Sequence, residues 1–169
     1  IDPTAQPGNL VFYLKNNDAS LTLINSASTP AVIRSQRAFH IQYSGSVIIG
    51  KPDGSDSNIK FDLSTMLATS SENTGSITIY GGIFECPVNV STVVNAGVSK
   101  VTLYGGTFST IGVAAPATLV GTLAEGYAYK DNTDNWVNNP NGNTLTEVTV
   151  QKAPVQNLSV TAAAETVYG

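Results

Sequence analysis

The chain has 169 residues, of which 41% are hydrophobic and only 12% are charged, about half the charged share of an average soluble domain. The formal net charge is −4 and the eight Lys and Arg residues form no cluster, so no positive field is available to gather phosphates and no nucleic-acid partner is expected. The absence of an apolar run of about 18 residues excludes membrane insertion of this fragment, and the single cysteine, Cys86, excludes an intramolecular disulfide and a multi-cysteine metal site.

Short segments in which apolar and polar residues alternate recur along the chain and predict β-strands. A first set starts at intervals of 24 to 30 residues and comprises 21–24, 47–49, 77–79, 101–103 and 127–129. A second set comprises 32–33, 59–61, 83–84 and 107–108. A third set is marked by apolar residues at intervals of 26, namely Ile41, Leu67, Val93, Leu119 and Leu145. Three short strands in each turn of about 25 residues predict an all-β parallel β-solenoid of about five turns.

The strongest support for stacking is a repeated phrase. Residues 76–84 read SITIYGGIF, and residues 100–108 read KVTLYGGTF. Because successive side chains of a strand alternate between its two faces, Ile77 and Ile79 are expected to point into the core and to lie over Val101 and Leu103 of the next turn. The two glycines that follow Tyr80 allow a tight corner, after which Phe84 returns to the core.

Two other interpretations of the pattern remain open. Residues 61–71 contain Leu63, Met66 and Leu67 at helical spacing and form either a short helix or a strand of the third set. The strands could also close into a β-sandwich, which parallel ladders linking Ile77 with Val101 would exclude.

The sequence changes character after residue 150. The segment 151–169 carries Pro154, an alternating pattern at Leu158 and Val160, and then three alanines. We therefore divide the chain into a parallel β-helix domain, 1–150, and a linker or the first strand of a following module, 151–169.

The phrases ITIYGGIF and VTLYGGTF, with the later GTLAEGYAYKDNTDNWV, resemble bacterial cell-surface, adhesin-like proteins. In those proteins a phrase of the type I-T-I-x-G-G-T-F is followed by a phrase L-x-x-G-Y-A, matched here by Leu123, Gly126, Tyr127 and Ala128. The resemblance covers roughly residues 76–137. It implies a right-handed parallel β-helix within a long modular protein at the bacterial cell surface or secreted from the cell, and it brings no catalytic residue with it.

Few polar residues are candidates for catalysis or metal binding. His40 is the only histidine and falls on an alternating strand, where an ordinary outward-facing residue is expected. Asp53 and Asp56 lie in a glycine-containing turn, and Asp131 and Asp134 lie in an Asn-rich loop that could offer oxygen ligands to calcium. The turn and loop interpretations are the simpler ones, so neither a metal site nor a cofactor is predicted.

The sharpest candidate surface is a row of tyrosines. Tyr80 and Tyr104 are expected to point outward and to stack on adjacent turns, and Tyr43 is expected to approach the same face. Exposed rings at strand spacing could bind the sugars of a glycan or a protein partner. The simpler interpretation, which we favour, is a ladder that stabilises the coil or is covered by another part of the chain.

Two functions of different class follow. The first is a non-catalytic structural or adhesive module of a secreted or wall-attached bacterial surface protein, with a glycan or a host surface protein and the adjacent modules of the same longer chain as partners. The second is a carbohydrate-active enzyme, lyase-like or glycosidase-like, or its remnant, on the same scaffold. The second requires a cleft in which two or more acidic groups and a basic group converge.

Overall fold

A computed structural model of the chain describes residues 10–70, 75–89, 98–112, 121–137 and 144–154. These residues form strands, turns and connecting loops, and no helix occurs among them. In these ranges there is accordingly no helix long and apolar enough to cross a membrane. The prediction of an all-β protein is confirmed.

The described strands form two sheets. The five-stranded sheet contains the even-numbered strands β2 (Ser20–Leu23), β4 (Ser46–Ile49), β6 (Gly75–Ile79), β8 (Val98–Leu103) and β10 (Gly121–Leu123). The eight-stranded sheet begins with the odd-numbered strands β1 (Phe12–Leu14), β3 (Ala31–Ile41), β5 (Ile59–Ser70), β7 (Ile83–Asn89) and β9 (Thr107–Gly112). It ends with β13 (Thr144–Lys152), β11 (Tyr127–Lys130) and β12 (Trp136–Val137).

From β1 to β10 the chain alternates between the two sheets, and every pairing among these strands is parallel. Strands β13, β11 and β12 then add to the edge of β9 in antiparallel fashion. Ile77 and Val101 are partners in the parallel ladder between β6 and β8. An antiparallel β-sandwich is therefore excluded for this part of the chain.

The predicted stacking of similar apolar side chains on neighbouring strands is confirmed in both sheets. In the even-numbered sheet, a continuous row of register partners runs through Leu21, Val47, Ile77 and Val101. In the odd-numbered sheet, the rings of Phe61, Phe84 and Phe108 stack with centroids 4.9 and 4.7 Å apart. These three rings are fully buried and belong to one hydrophobic cluster with the row of the other sheet.

The fifth member of the first predicted set is wrong. Residues 127–129 do not continue the even-numbered sheet, because β10 takes that place and pairs Gly121 with Val101. Tyr127 and Tyr129 instead lie in β11, which is antiparallel to β13 in the other sheet. A spacing of 26 residues thus placed the strand in the wrong sheet, since the step from β8 to β10 is shorter than the earlier ones.

The second and third predicted strands are merged in β3 and β5. Strand β3 contains both Ile33 and Ile41, and β5 contains both Ile59 and Leu67, because no glycine or proline interrupts either run. The helix considered for residues 61–71 is therefore wrong. Ile41 is opposite Ser70 rather than Leu67, while Val93 and Leu119 lie outside the described residues.

The long strand β3 curves around the core. Ile33 is the register partner of Phe61, and Phe39 lies six residues later, which is about 20 Å along a straight strand. The rings of Phe39 and Phe61 are nevertheless only 6.0 Å apart. The bend coincides with a register shift between Ser35 and Arg37, where β5 carries an extra residue, as expected of a β-bulge.

The predicted domain boundary at residue 150 falls inside a strand. Strand β13 runs to Lys152, and the N–H of Ala153 still donates to the carbonyl of Gly126. The rest of the predicted linker or following strand, residues 155–169, lies outside the described residues.

Candidate functional site

The two Tyr-Gly-Gly segments form stacked corners at the end of the even-numbered sheet. The N–H of Tyr80 donates to the carbonyl of Ile49 at 2.9 Å, and the N–H of Tyr104 donates to the carbonyl of Ile79 at 2.8 Å. The hydrogen-bond ladder thus continues one residue past β6 and β8. Each tyrosine is thereby held at a fixed height in the stack.

The glycines of the second corner explain why the phrase is repeated. A Cβ on Gly105 would lie 2.2 Å from the carbonyl oxygen of Tyr80, so only glycine allows the two corners to approach this closely. Gly106 adopts a φ of 111°, which side chains with a Cβ rarely adopt. The predicted need for a glycine corner is confirmed.

Three tyrosine rings form a continuous surface that we call the tyrosine ridge, consisting of Tyr80, Tyr104 and Tyr127. The Tyr80 and Tyr104 rings are 4.8 Å apart and tilted by 30°, and the Tyr127 ring meets Tyr104 edge-on at 5.5 Å. All three residues are half-buried. The predicted stacking of Tyr80 on Tyr104 is confirmed.

Tyr43 is not part of the ridge. It lies in the turn between β3 and β4, where its φ of 59° is in the left-handed region. This turn precedes Ser46 at the start of β4, whereas Tyr80 is level with Gly50, beyond the end of that strand. More than about 10 Å of strand therefore separates Tyr43 from the ridge, and the expectation that it approaches the same face is wrong.

Tyr127 reaches the ridge through the antiparallel strands, which explains why sequence reasoning missed its position. Tyr127 and Lys152 are directly opposite each other in the ladder between β11 and β13. Two residues before Lys152, the N–H of Val150 donates to the carbonyl of Gly106 at 2.9 Å. The second Tyr-Gly-Gly corner thereby anchors the strand that brings Lys152 to the ridge.

The ridge separates two open grooves. The first, of about 340 Å³, is lined by the three ridge rings, Lys152 and the turn 52–54, which includes Asp53. The second, of about 410 Å³, runs along the outer face of the even-numbered sheet and is lined by Thr78, Thr102 and Glu125 in addition to two ridge rings. Both volumes lie in the range of small-molecule sites.

Asp53, Lys152 and Glu125 supply the formal charges among the described lining of the two grooves. The hydroxyl of Ser55 foremost, and then its N–H, which donates to Asp53 Oδ1 at 2.9 Å, hold the pKa of Asp53 below its ordinary value by hydrogen bonding. Lys152 has no ion-pair partner among the described residues, unlike Lys51, Lys60 and Lys130. The first groove therefore presents one carboxylate and one ammonium group that has no ion-pair partner in the described part of the chain.

The hydroxyl groups of the ridge are available as well. Within the described ranges, no hydrogen bond connects the Tyr80, Tyr104 or Tyr127 hydroxyl to another group, whereas the Tyr13 hydroxyl donates to Gln42 Oε1 at 2.8 Å. Each phenol can act as donor and acceptor toward solvent or a ligand. The ridge thus combines apolar ring faces with unused polar groups.

The carboxylates that an enzyme would need are found elsewhere, on the outer face of the odd-numbered sheet. Asp62 and Glu85 are register partners on β5 and β7. Each has a basic partner, Arg34 Nε at 3.0 Å from Asp62 and Lys60 Nζ at 2.6 Å from Glu85. Ion pairs on such an exposed surface stabilise a fold by no more than about 1 kcal/mol.

The remaining candidate residues have local roles. Asp131 Oδ1 accepts hydrogen bonds from the backbone N–H groups of Thr133 and Asn135, both at 2.9 Å, and from the Thr133 hydroxyl. These bonds, the Thr133 hydroxyl foremost, lower the pKa of Asp131. These hydrogen bonds within residues 131–135 agree with the predicted Asx-rich loop. The predicted strand residue His40 lies in β3 and contacts the Tyr13 ring edge-on at 4.9 Å.

Comparisons with known proteins do not extend this description. No protein-family model matches the chain, and no curated protein or solved structure shows significant similarity to it.

Proposed function

We propose that this chain is a non-catalytic structural and adhesive module of a secreted or wall-attached bacterial surface protein, built as a right-handed parallel β-helix. The observation that carries the proposal is the alternation of the chain between two in-register parallel sheets that share one core. Such a stack suits a rigid structural module, because strands of successive repeats are hydrogen-bonded to each other in both sheets.

Two features support a closed coil. The bend of β3 between Ile33 and Phe39 supports the proposal, because a closed coil needs a third side to join the two sheets. Right-handed connections between parallel strands are strongly favoured, because the twist of the strands allows the chain to return to the sheet in that sense. The resemblance of residues 76–137 to adhesin-like surface proteins supports the cellular location.

The function is tested by separating adhesion from degradation. The purified chain is incubated with a panel of neutral and acidic polysaccharides, and new reducing ends, unsaturated uronates and polymer length are measured. Immobilised glycans and host surface proteins are screened for binding in parallel. We expect unchanged polymers. Depolymerisation by the purified chain would instead support the carbohydrate-active enzyme and overturn the proposal.

The Asp62→Asn variant provides a control for the enzyme alternative. If degradation is observed and this variant abolishes it, the paired carboxylates of β5 and β7 are the catalytic groups. If degradation is observed and persists in the variant, a different site or a contaminant is responsible, which a second purification distinguishes.

A further inference from the structure

We propose that the tyrosine ridge, with Asp53 and Lys152, is a binding site for a neutral glycan made of pyranose sugars. The inference rests on the proposed adhesive function and specifies its ligand. It includes Tyr127 and Lys152, which the antiparallel strands bring to the Tyr-Gly-Gly corners, and excludes Tyr43.

The ring geometry suits a sugar. A pyranose presents C–H groups on one face, and these pack favourably on the electron-rich face of an aromatic ring. Tyr80 and Tyr104 are tilted by 30° to each other, and Tyr127 is nearly perpendicular to Tyr104, so the ridge presents differently oriented ring surfaces. Their mutual contacts hold the rings in place before binding, which reduces the entropy that is lost when a ligand orders them.

The polar groups around the rings match sugar hydroxyls. A sugar hydroxyl both donates and accepts hydrogen bonds, and the first groove offers an acceptor at Asp53 and a donor at Lys152. The hydroxyls of the ridge are not engaged by other described residues and can serve in either role. On the other side, Thr78 and Thr102 add hydroxyl groups along the second groove.

The charge balance selects a neutral ligand over an anionic one. In the first groove the carboxylate of Asp53 offsets the ammonium of Lys152, and in the second groove Glu125 adds a further negative charge. An anionic polymer, such as a uronate polysaccharide, would meet more negative than positive charge across the ridge. A neutral glycan has no such penalty.

The arrangement of the grooves predicts the length of the ligand. Because Tyr80 and Tyr104 line both grooves, a glycan chain that crosses the ridge contacts both surfaces, whereas a single sugar contacts one. Neutral oligosaccharides are therefore expected to bind more tightly than the corresponding monosaccharides. The gain arises from linking two binding surfaces through one ligand.

The test uses the full chain with arrays of neutral and acidic oligosaccharides, followed by titration of the strongest neutral ligand. We expect neutral oligosaccharides to bind, and Tyr104→Ala to weaken binding roughly tenfold. The Tyr104→Phe variant keeps the stacking surface, so its affinity is expected to fall only a few-fold. The same small loss of affinity is expected for Lys152→Gln. The matched control is Tyr13→Ala, which is expected to bind normally. Tyr13 is 53% exposed and lies in β1, away from the ridge.

Circular dichroism and thermal melting are measured for every variant. If Tyr104→Ala fails to fold, Lys152→Gln and Asp53→Asn still test the site, since both side chains are exposed. Any of three results would overturn the inference. The chain could fail to bind every neutral oligosaccharide, it could prefer uronate polymers or protein ligands, or the ridge variants could bind normally. A lack of binding would leave the structural part of the proposed function standing, whereas depolymerisation would overturn the proposed non-catalytic function without removing the glycan-binding site.

Discussion

At the scale of single residues, the repeated phrase is a consequence of backbone crowding. Gly105 lies against the carbonyl of Tyr80, and Gly106 adopts a φ that favours glycine. The need for two glycines at the corner could be predicted, because a repeat that keeps glycines in the same place implies the same backbone conformation. Their separate roles could not be predicted, since the close approach depends on the neighbouring strand of the sheet, β6.

These roles can be separated by mutation. We expect Gly105→Ala to lower the free energy of unfolding by more than about 3 kcal/mol, since its Cβ would overlap the Tyr80 carbonyl. Gly126→Ala is the matched control, because Gly126 has a φ of 78° but open space around it, so only about 1 kcal/mol of backbone strain is expected. Chemical denaturation measures both. Equal losses in the two variants would contradict the proposed crowding.

Burial of Tyr129 predicts a loss of stability at alkaline pH. Desolvation raises the pKa of Tyr129 to about 12 from the ordinary value of 10.0, and the side chain is only 4% exposed. Above pH 10 the unfolded chain releases this proton while the folded chain retains it, so stability falls as pH rises through 12. The full loss is about 3 kcal/mol.

Denaturation at a series of pH values from about 9 to about 12 measures this loss. We expect Tyr129→Phe to lack it, so the difference in stability between wild type and variant changes with pH over this interval. A pH-independent difference would show that Tyr129 titrates normally in the folded state.

At the scale of elements, strand positions were more predictable than strand lengths. The rows through Ile77 and Phe84 follow from alternation alone, because the two faces of a strand have different surroundings. The merging of two predicted strands into β3 depends on curvature around the core, which leaves no break in the local sequence. The placement of β11 depends on pairing with β13, a contact that spacing cannot reveal.

The stacked phenylalanines are expected to dominate the stability of the odd-numbered sheet. Phe84 is fully buried between Phe61 and Phe108. Phe84→Ala should lower the free energy of unfolding by about 3–5 kcal/mol, through lost burial and the cavity left behind. Ile24→Ala, at a side chain that is 55% exposed, should change it by no more than about 0.5 kcal/mol. Denaturant titration checks both values, and comparable effects would contradict the stacked core.

At the scale of the whole molecule, stability should vary along the stack. Each strand of a sheet contacts chiefly its neighbours, so a strand paired on both sides is better protected than one at an edge. Strand β6 lies between β4 and β8, whereas β2 is the last strand of the even-numbered sheet.

Hydrogen exchange can test this gradient. We expect the amides of Ile77 and Ile79 in β6 to exchange at least tenfold more slowly than those of Leu21 and Leu23 in β2, a difference of about 1.4 kcal/mol in opening free energy. Mass spectrometry of peptides from each strand provides the measurement. Equal protection would mean either that the stack opens as one unit or that the β2 edge is covered.

The sequence by itself determined the all-β class, the order of the first four stacked segments of the even-numbered sheet and the position of Tyr80 over Tyr104. These depend on alternation and on a repeat of 24 residues, which are properties of the local sequence. Only the tertiary structure decided that Tyr127 and Lys152 join the ridge. The physical reason is that the final strands run antiparallel to the stack, so their register is set by hydrogen bonds to β9 and not by repetition.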